Sequence, residues 1–91
     1  MNLTTCDDFY SRKGSVEVSY EMIRSNAKLL AEAFSGCLVI HVEHRPWISK
    51  DTFIMCCDKF DPLEEGEVCP NYLILISENE DGSHEFRFDR E

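Results

Sequence analysis

The chain has 91 residues, of which 43% are hydrophobic and 30% are charged, and its formal net charge at pH 7 is -9. This length leaves room for one hydrophobic core, so we expect no second domain, and the composition is typical of a globular chain rather than a disordered or membrane-spanning one. The strong negative charge argues against nucleic acid or an anionic membrane as a direct ligand.

The acidic residues are distributed unevenly along the chain. Residues 1–50 carry six acidic and six basic side chains, whereas residues 51–91 carry twelve acidic side chains and three basic ones. The whole net charge therefore belongs to the C-terminal part. An asymmetry of this kind concerns partners and association rates rather than fold, and it predicts a partner protein with a basic surface.

The cysteines and the first residues indicate a cytoplasmic location. Five cysteines are an odd number, unlike the paired framework of small secreted proteins. The first residues have neither the basic opening nor the apolar run of a secretory signal. We therefore expect the thiols to be reduced and free of metal.

The domain is predicted to consist of a short lead-in over residues 1–14, a helix over residues 15–35 and an antiparallel sheet over residues 37–89. Within the lead-in, a brief helix from Thr5 to Lys13 is expected, capped by Thr5 and ended by Gly14.

The main helix is predicted from apolar side chains that recur at spacings of three and four, which places them on one helical face: Val16, Tyr20, Ile23, Ala27, Leu30 and Phe34. Ser15 is the predicted cap, and Gly36 closes the helix. Because Val16 and Val18 also alternate with polar residues, a strand over residues 15–19 ahead of a helix from Tyr20 stays open as an alternative.

After Gly36 the apolar period shortens to that of strands. Four segments are predicted to be strands: Cys37 to Glu43, Thr52 to Asp58, Tyr72 to Glu78 and Ser83 to Asp89. The predicted fold class is α+β, with one main helix packed on a four-stranded antiparallel sheet whose strands follow one another as a meander.

The last two strands form a predicted hairpin whose register can be argued. A three-residue loop with a left-handed Gly82 places Ile74 opposite Phe88 and Ile76 opposite Phe86. A two-residue loop places Leu75 opposite Phe88 instead. The first register is favoured, because it gathers the apolar side chains on the face that the helix covers.

Motifs for catalysis or cofactor binding are missing from the sequence. There is no Gly-rich phosphate loop and no Gly-x-Ser-x-Gly, so we predict no cofactor and no catalytic residue, and a protein that is not an enzyme. The close Cys or His pairs of zinc sites are also missing. A structural zinc assembled from distant Cys and His residues stays open as an alternative to free thiols.

Binding residues are predicted in three segments. Residues 58–67 place five carboxylates around two expected surface anchors, Phe60 and Leu63, and the carboxylates are Asp58, Asp61, Glu64, Glu65 and Glu67. The hairpin turn adds Glu78, Glu80 and Asp81. Acidic rims around apolar anchors suit a basic partner, although a loop that only confers solubility has the same composition. Trp47 is a candidate hot spot, but in so small a domain it is also expected to cap the core.

In size, charge and cytoplasmic character the chain resembles small acidic inhibitors, such as phage-encoded anti-CRISPR and anti-restriction proteins and nuclease-toxin immunity proteins. The resemblance covers no individual residue. It implies an inhibitor that blocks or imitates nucleic acid at the basic surface of a nucleic-acid-binding protein. The alternative is an acidic adaptor or oligomerisation module that assembles through an exposed sheet edge or the Trp47 region.

Overall fold

Five strands form one mixed sheet in the computed structural model, which describes residues 9–91. The strands are β1 (Lys13–Ser19), β2 (Leu38–Arg45), β3 (Lys50–Cys56), β4 (Asn71–Glu78) and β5 (His84–Arg90). Two short helices, α1 (Tyr20–Ser25) and α2 (Ala27–Ala33), connect β1 to β2, and a single 3-10 turn, Pro46–Ile48, connects β2 to β3. The strands lie in the order β2-β3-β1-β4-β5.

The predicted fold of one main helix on a four-stranded antiparallel meander is wrong. Residues 13–19 form β1, a central strand that runs antiparallel to β3 and parallel to β4. The alternative reading of residues 15–19 as a strand is the correct one. Val16 and Val18 are buried here, and β-branched side chains in alternation suit a strand with neighbours on both sides. Val16 and Tyr20 are four residues apart, which also fits a helix. The helical spacing therefore extends across the boundary between β1 and α1, and this is why the predicted helix began too early.

The predicted helix is shorter and divided. It begins after Ser19, whose hydroxyl oxygen accepts a hydrogen bond from the backbone N–H of Met22 at 3.1 Å, and not after Ser15. It breaks at Asn26, where φ is -133° and ψ is 37°. Leu30 is nevertheless buried in the core, and Ile23 and Phe34 pack against it, as the periodicity predicted.

The four predicted strand segments are strands in the structure, with ends that differ from the prediction by no more than two residues. The predicted register of the last hairpin is confirmed, because Ile74 pairs with Phe88 and Ile76 pairs with Phe86. Gly82 has a φ of 88°, the left-handed conformation that the three-residue loop requires.

The core lies on the face of the sheet that carries α1 and α2. Its buried members come from β1, α2, β3, the β3–β4 connection, β4 and β5: Val16, Val18, Leu30, Met55, Cys57, Phe60, Tyr72 and Phe88. The opposite face is more open, with Leu73 and Leu75 exposed on β4. Fully burying a large apolar side chain contributes about 1.5–3 kcal/mol, so this single cluster is the main source of stability.

The lead-in differs from its prediction. Residues 9–11 are helical, whereas the predicted Thr5 cap lies outside the described residues. Gly14 does not end this helix but belongs to β1, where it faces the ring of Tyr72. Within residues 9–91, no helix combines the length and the apolar character needed to cross a membrane.

Candidate protein-binding surface

The connection between β3 and β4, residues 57–70 and here called the acidic loop, is fixed to the core by Phe60. This ring is 1% exposed, stacks on Tyr72 at a centroid distance of 4.2 Å and meets Phe88 edge-on at 5.2 Å. The sequence-based expectation that Phe60 is a surface anchor is therefore wrong. Phenylalanine is among the residues most often buried, and this general tendency was the one feature of the sequence that favoured burial of Phe60.

Hydrogen bonds to other segments also hold the backbone of the acidic loop. The Arg12 guanidinium donates to the carbonyl oxygen of Phe60 at 2.8 Å, and the backbone N–H of Asp61 donates to the Tyr72 hydroxyl at 2.9 Å. The N–H of Leu63 donates to the carbonyl oxygen of Ser11 at 2.8 Å. These bonds lie between Asp58 and Glu64, and on the far side the backbone N–H of Ser15 donates to the carbonyl oxygen of Pro70 at 2.9 Å, so the loop is tied to the chain on both sides of Glu64, Glu65 and Glu67.

The carboxylates of the acidic loop all belong to exposed residues: Asp58, Asp61, Glu64, Glu65 and Glu67. Arg90 lies 3.6 Å from a carboxylate oxygen of Asp61 and 3.7 Å from one of Glu67. Glu67 also accepts a hydrogen bond from the N–H of Glu64 at 2.9 Å, which closes a turn. Within the described part of the chain, Glu64 and Glu65 form no ion pair, so their charges stay directed to solvent.

The other predicted acidic residues lie elsewhere. Glu78 is the last residue of β4, and Glu80 and Asp81 belong to the β4–β5 turn, so all three lie at the opposite end of β4 from the acidic loop. The eight residues of β4 separate the two groups by roughly 25 Å, at about 3.3 Å per residue. Ser83 donates two hydrogen bonds to Asp81, and these bonds lower the pKa of that carboxyl. The predicted acidic residues therefore form two separate surfaces.

Trp47 lies on the 3-10 turn between β2 and β3 and is 76% exposed. The expectation that it caps the core is wrong, because the turn carries it past the end of the sheet. The neighbouring Ile48 is also exposed. This apolar tip lies at the same end of the sheet as the β4–β5 turn, but on the side of β2 and β3.

A buried carboxylate, which the sequence did not reveal, lies beneath this tip. Asp51 is buried, and one of its oxygens is 2.8 Å from Nδ1 of His44, the residue directly across from it on β2. The Tyr20 hydroxyl hydrogen-bonds to the same carboxyl. The pKa of Tyr20 is raised by desolvation and, to a smaller extent, by the charge of Asp51. Only the β2–β3 register brings these residues together, so no local pattern could have identified them.

The Asp51 cluster borders a surface cavity of about 570 Å³ that is lined by Tyr20, Glu21, Ile23, Arg24, Ser49 and Asp51. Asp51 orients the His44 ring through the contact at Nδ1, and the His44 side chain is otherwise exposed to solvent. Among residues 9–91, no Ser, Thr or Cys side chain hydrogen-bonds to His44, so the cluster holds no paired nucleophile. The cluster connects the β2–β3 hairpin to Tyr20, the first residue of α1.

Four cysteines lie at the end of the sheet where β3 stops, and none of these four forms a disulfide: Cys37, Cys56, Cys57 and Cys69. Residues 9–91 contain no group of three or more His, Cys, Asp or Glu side chains that could hold a metal ion. Burial, with a contribution from the hydrogen bond with the Cys57 thiol, raises the pKa of Cys37 from 9.0 to about 12.

The raised pKa of Cys37 predicts a loss of stability in alkali. The fold favours the neutral thiol, so this contribution to the free energy of unfolding is complete below pH 9.0 and is lost as the pH rises towards about 12. Denaturant unfolding at a series of pH values, with a reductant present, measures it. The Cys37→Ala variant should show a shallower decline than the unmodified chain, and equal declines would contradict the assignment.

Comparisons of the chain with protein-family models, with curated proteins and with solved structures found no match.

Proposed function

We propose that the chain is a protein-binding module whose acidic loop meets the basic surface of a partner. The observation that carries this proposal is the attachment of the loop: Phe60 is buried and the backbone is hydrogen-bonded, while Glu64 and Glu65 stay exposed and unpaired in the described structure. A fixed charged surface loses less conformational entropy on binding than a mobile one. A loop that only confers solubility needs no such attachment.

The chemistry of the partner follows from the sign of the charge. Carboxylates that face solvent attract Lys and Arg side chains over a distance set by the ionic strength, about 8 Å at physiological salt, and they accelerate encounter. The more specific hypothesis is that the partner is a nucleic-acid-binding protein, which the chain inhibits by occupying the surface that phosphates use. The shared negative charge of carboxylates and phosphates supports it.

Reversing two charges of the acidic loop tests the proposal. The variant with Glu64→Lys and Glu65→Lys should associate about tenfold or more slowly with basic proteins at low salt, because exposed charges steer encounter. Glu67 is left intact because it closes the turn and contacts Arg90. The measurement is association kinetics with polylysine and with a panel of folded nucleic-acid-binding proteins at low and physiological salt.

A matched control separates the acidic loop from the total charge. The variant with Glu32→Lys and Glu85→Lys changes the net charge by the same amount at exposed positions on α2 and β5. It should slow association much less than the loop variant. Both variants should keep the stability of the unmodified chain within about 0.5 kcal/mol, as is usual for surface substitutions. Equal on-rates for the two variants at low salt would reduce the acidic loop to a solubility device.

A further inference from the structure

The outer edge of β2 is apolar and has no strand beside it among the described residues. The strand order places β2 at one end of the sheet, paired with β3 alone. Leu38, Val39 and Ile40 are consecutive on this edge and are 45%, 40% and 48% exposed. An edge strand of this kind presents free backbone N–H and C=O groups together with apolar side chains, which is a template for pairing with another strand.

The opposite edge of the sheet, β5, differs in composition. It alternates charged residues with apolar ones, and Glu85, Arg87 and Asp89 occupy its open face. Charged side chains are a usual protection of edge strands. On β2 the charged residues Glu43 and Arg45 lie in the second half of the strand, and the first half has only the register shift between Val39 and His41, a bulge, which leaves His41 to Arg45 regular.

The charge distribution selects a second copy of the chain as the occupant of the β2 edge. β2 carries one acidic residue, Glu43, and one basic residue, Arg45, so the strand is neutral with its histidines uncharged. Residues 51–91 contain the whole net charge of -9, and β5 lies four strand spacings from β2, roughly 19 Å. Two copies that meet at β2 therefore keep their acidic halves apart, whereas two copies that meet at β5 would bring them together.

We infer that two copies associate by antiparallel pairing of β2 with β2, about a two-fold axis at Val42. This register places His41 of one copy opposite Glu43 of the other, twice, on the same face of the sheet. An axis at Glu43 would place the two glutamates opposite each other, which is unfavourable. The antiparallel direction also brings the exposed Trp47 end of each strand to the Leu38 end of the other. The interface is isologous and closed, and it is independent of the acidic loop.

Measurement of molar mass by light scattering and of association by analytical ultracentrifugation, with a reductant present, tests the inference. The unmodified chain should reach twice the mass of one chain, 10.6 kDa. Ile40→Lys places an ammonium on the edge and should raise the dimer dissociation constant about tenfold or more. Leu73→Lys is the matched control, because Leu73 is 50% exposed but lies on the inner strand β4, and this variant should remain dimeric.

A second pair of variants tests the register. Glu43→Lys should weaken the dimer, since it removes the carboxylate that accepts a hydrogen bond from the His41 ring of the other copy. Adding His41→Glu to the same chain places a carboxylate opposite each new ammonium across the axis and should recover much of the affinity. Because Glu43→Lys also removes the contact of Glu43 with Arg45 at 3.3 Å, recovery by the second change distinguishes contact between copies from an effect within one chain.

Circular dichroism of each variant confirms that it is folded, and Leu38→Lys replaces Ile40→Lys if the latter fails to fold. A monomeric unmodified chain at the highest soluble concentration would overturn the inference. So would a dimer that survives a folded Ile40→Lys or Leu38→Lys variant, or a monomer whose β2 edge is covered by a different protein. The variant with Glu64→Lys and Glu65→Lys should dimerise normally, so failure of the acidic-loop proposal leaves this result unchanged.

Discussion

Replacing Phe60 by alanine is expected to lower the free energy of unfolding by about 3–5 kcal/mol. The ring is 1% exposed and lies between Tyr72 and Phe88, so its removal leaves a cavity that these two rings fill poorly. Urea denaturation followed by circular dichroism measures the change. The loss should be large for a 91-residue chain, since small domains have only a modest net stability.

Val68→Ala is the matched control for Phe60, because Val68 belongs to the same acidic loop and is 87% exposed. Its free energy of unfolding should differ from that of the unmodified chain by no more than about 0.5 kcal/mol. If Phe60→Ala changes the free energy of unfolding as little as Val68→Ala does, Phe60 does not hold the loop to the core. Its role as a partner-binding anchor, which the sequence suggested, would then have to be reconsidered.

Gly14→Ala should destabilise the fold by about 1–3 kcal/mol, the usual cost of overfilling a well-packed core. A Cβ at this position would lie 2.6 Å from two ring carbons of Tyr72 and 2.9 Å from a ring carbon of Phe60. The Tyr72 ring has little freedom to move away, because it is stacked on Phe60 and its hydroxyl accepts the N–H of Asp61.

A double-mutant cycle on Gly14 and Tyr72 identifies the cause of this loss. In a Tyr72→Val background the two ring carbons are absent, so the added methyl group of Gly14→Ala should cost much less. The readout is the free energy of unfolding of the four proteins in the cycle. A cost that is the same in both backgrounds would show that the backbone of β1, and not contact with the ring, requires glycine.

The sequence determined those parts of the fold that depend on neighbouring residues. The four strands after Gly36 and the apolar face that contains Ile23, Leu30 and Phe34 follow from periodicity. The register of the last hairpin follows from turn chemistry, because a left-handed glycine in a three-residue loop leaves one pairing that buries the apolar set. It also determined the charge asymmetry, and with it the sign of the expected partner surface.

The tertiary structure decided what depends on distant residues. Residues 15–19 satisfy a helical and an alternating pattern equally, and only the edges of β3 and β4 on either side make them a strand. Phe60 is buried because Tyr72 and Phe88 lie below it, and Asp51 meets His44 because their strands pair in one register. The acidic residues separate into two surfaces because β4 lies between them. Each of these outcomes is set by a contact between segments far apart in the chain, and a local pattern carries no information about which distant segment will supply that contact.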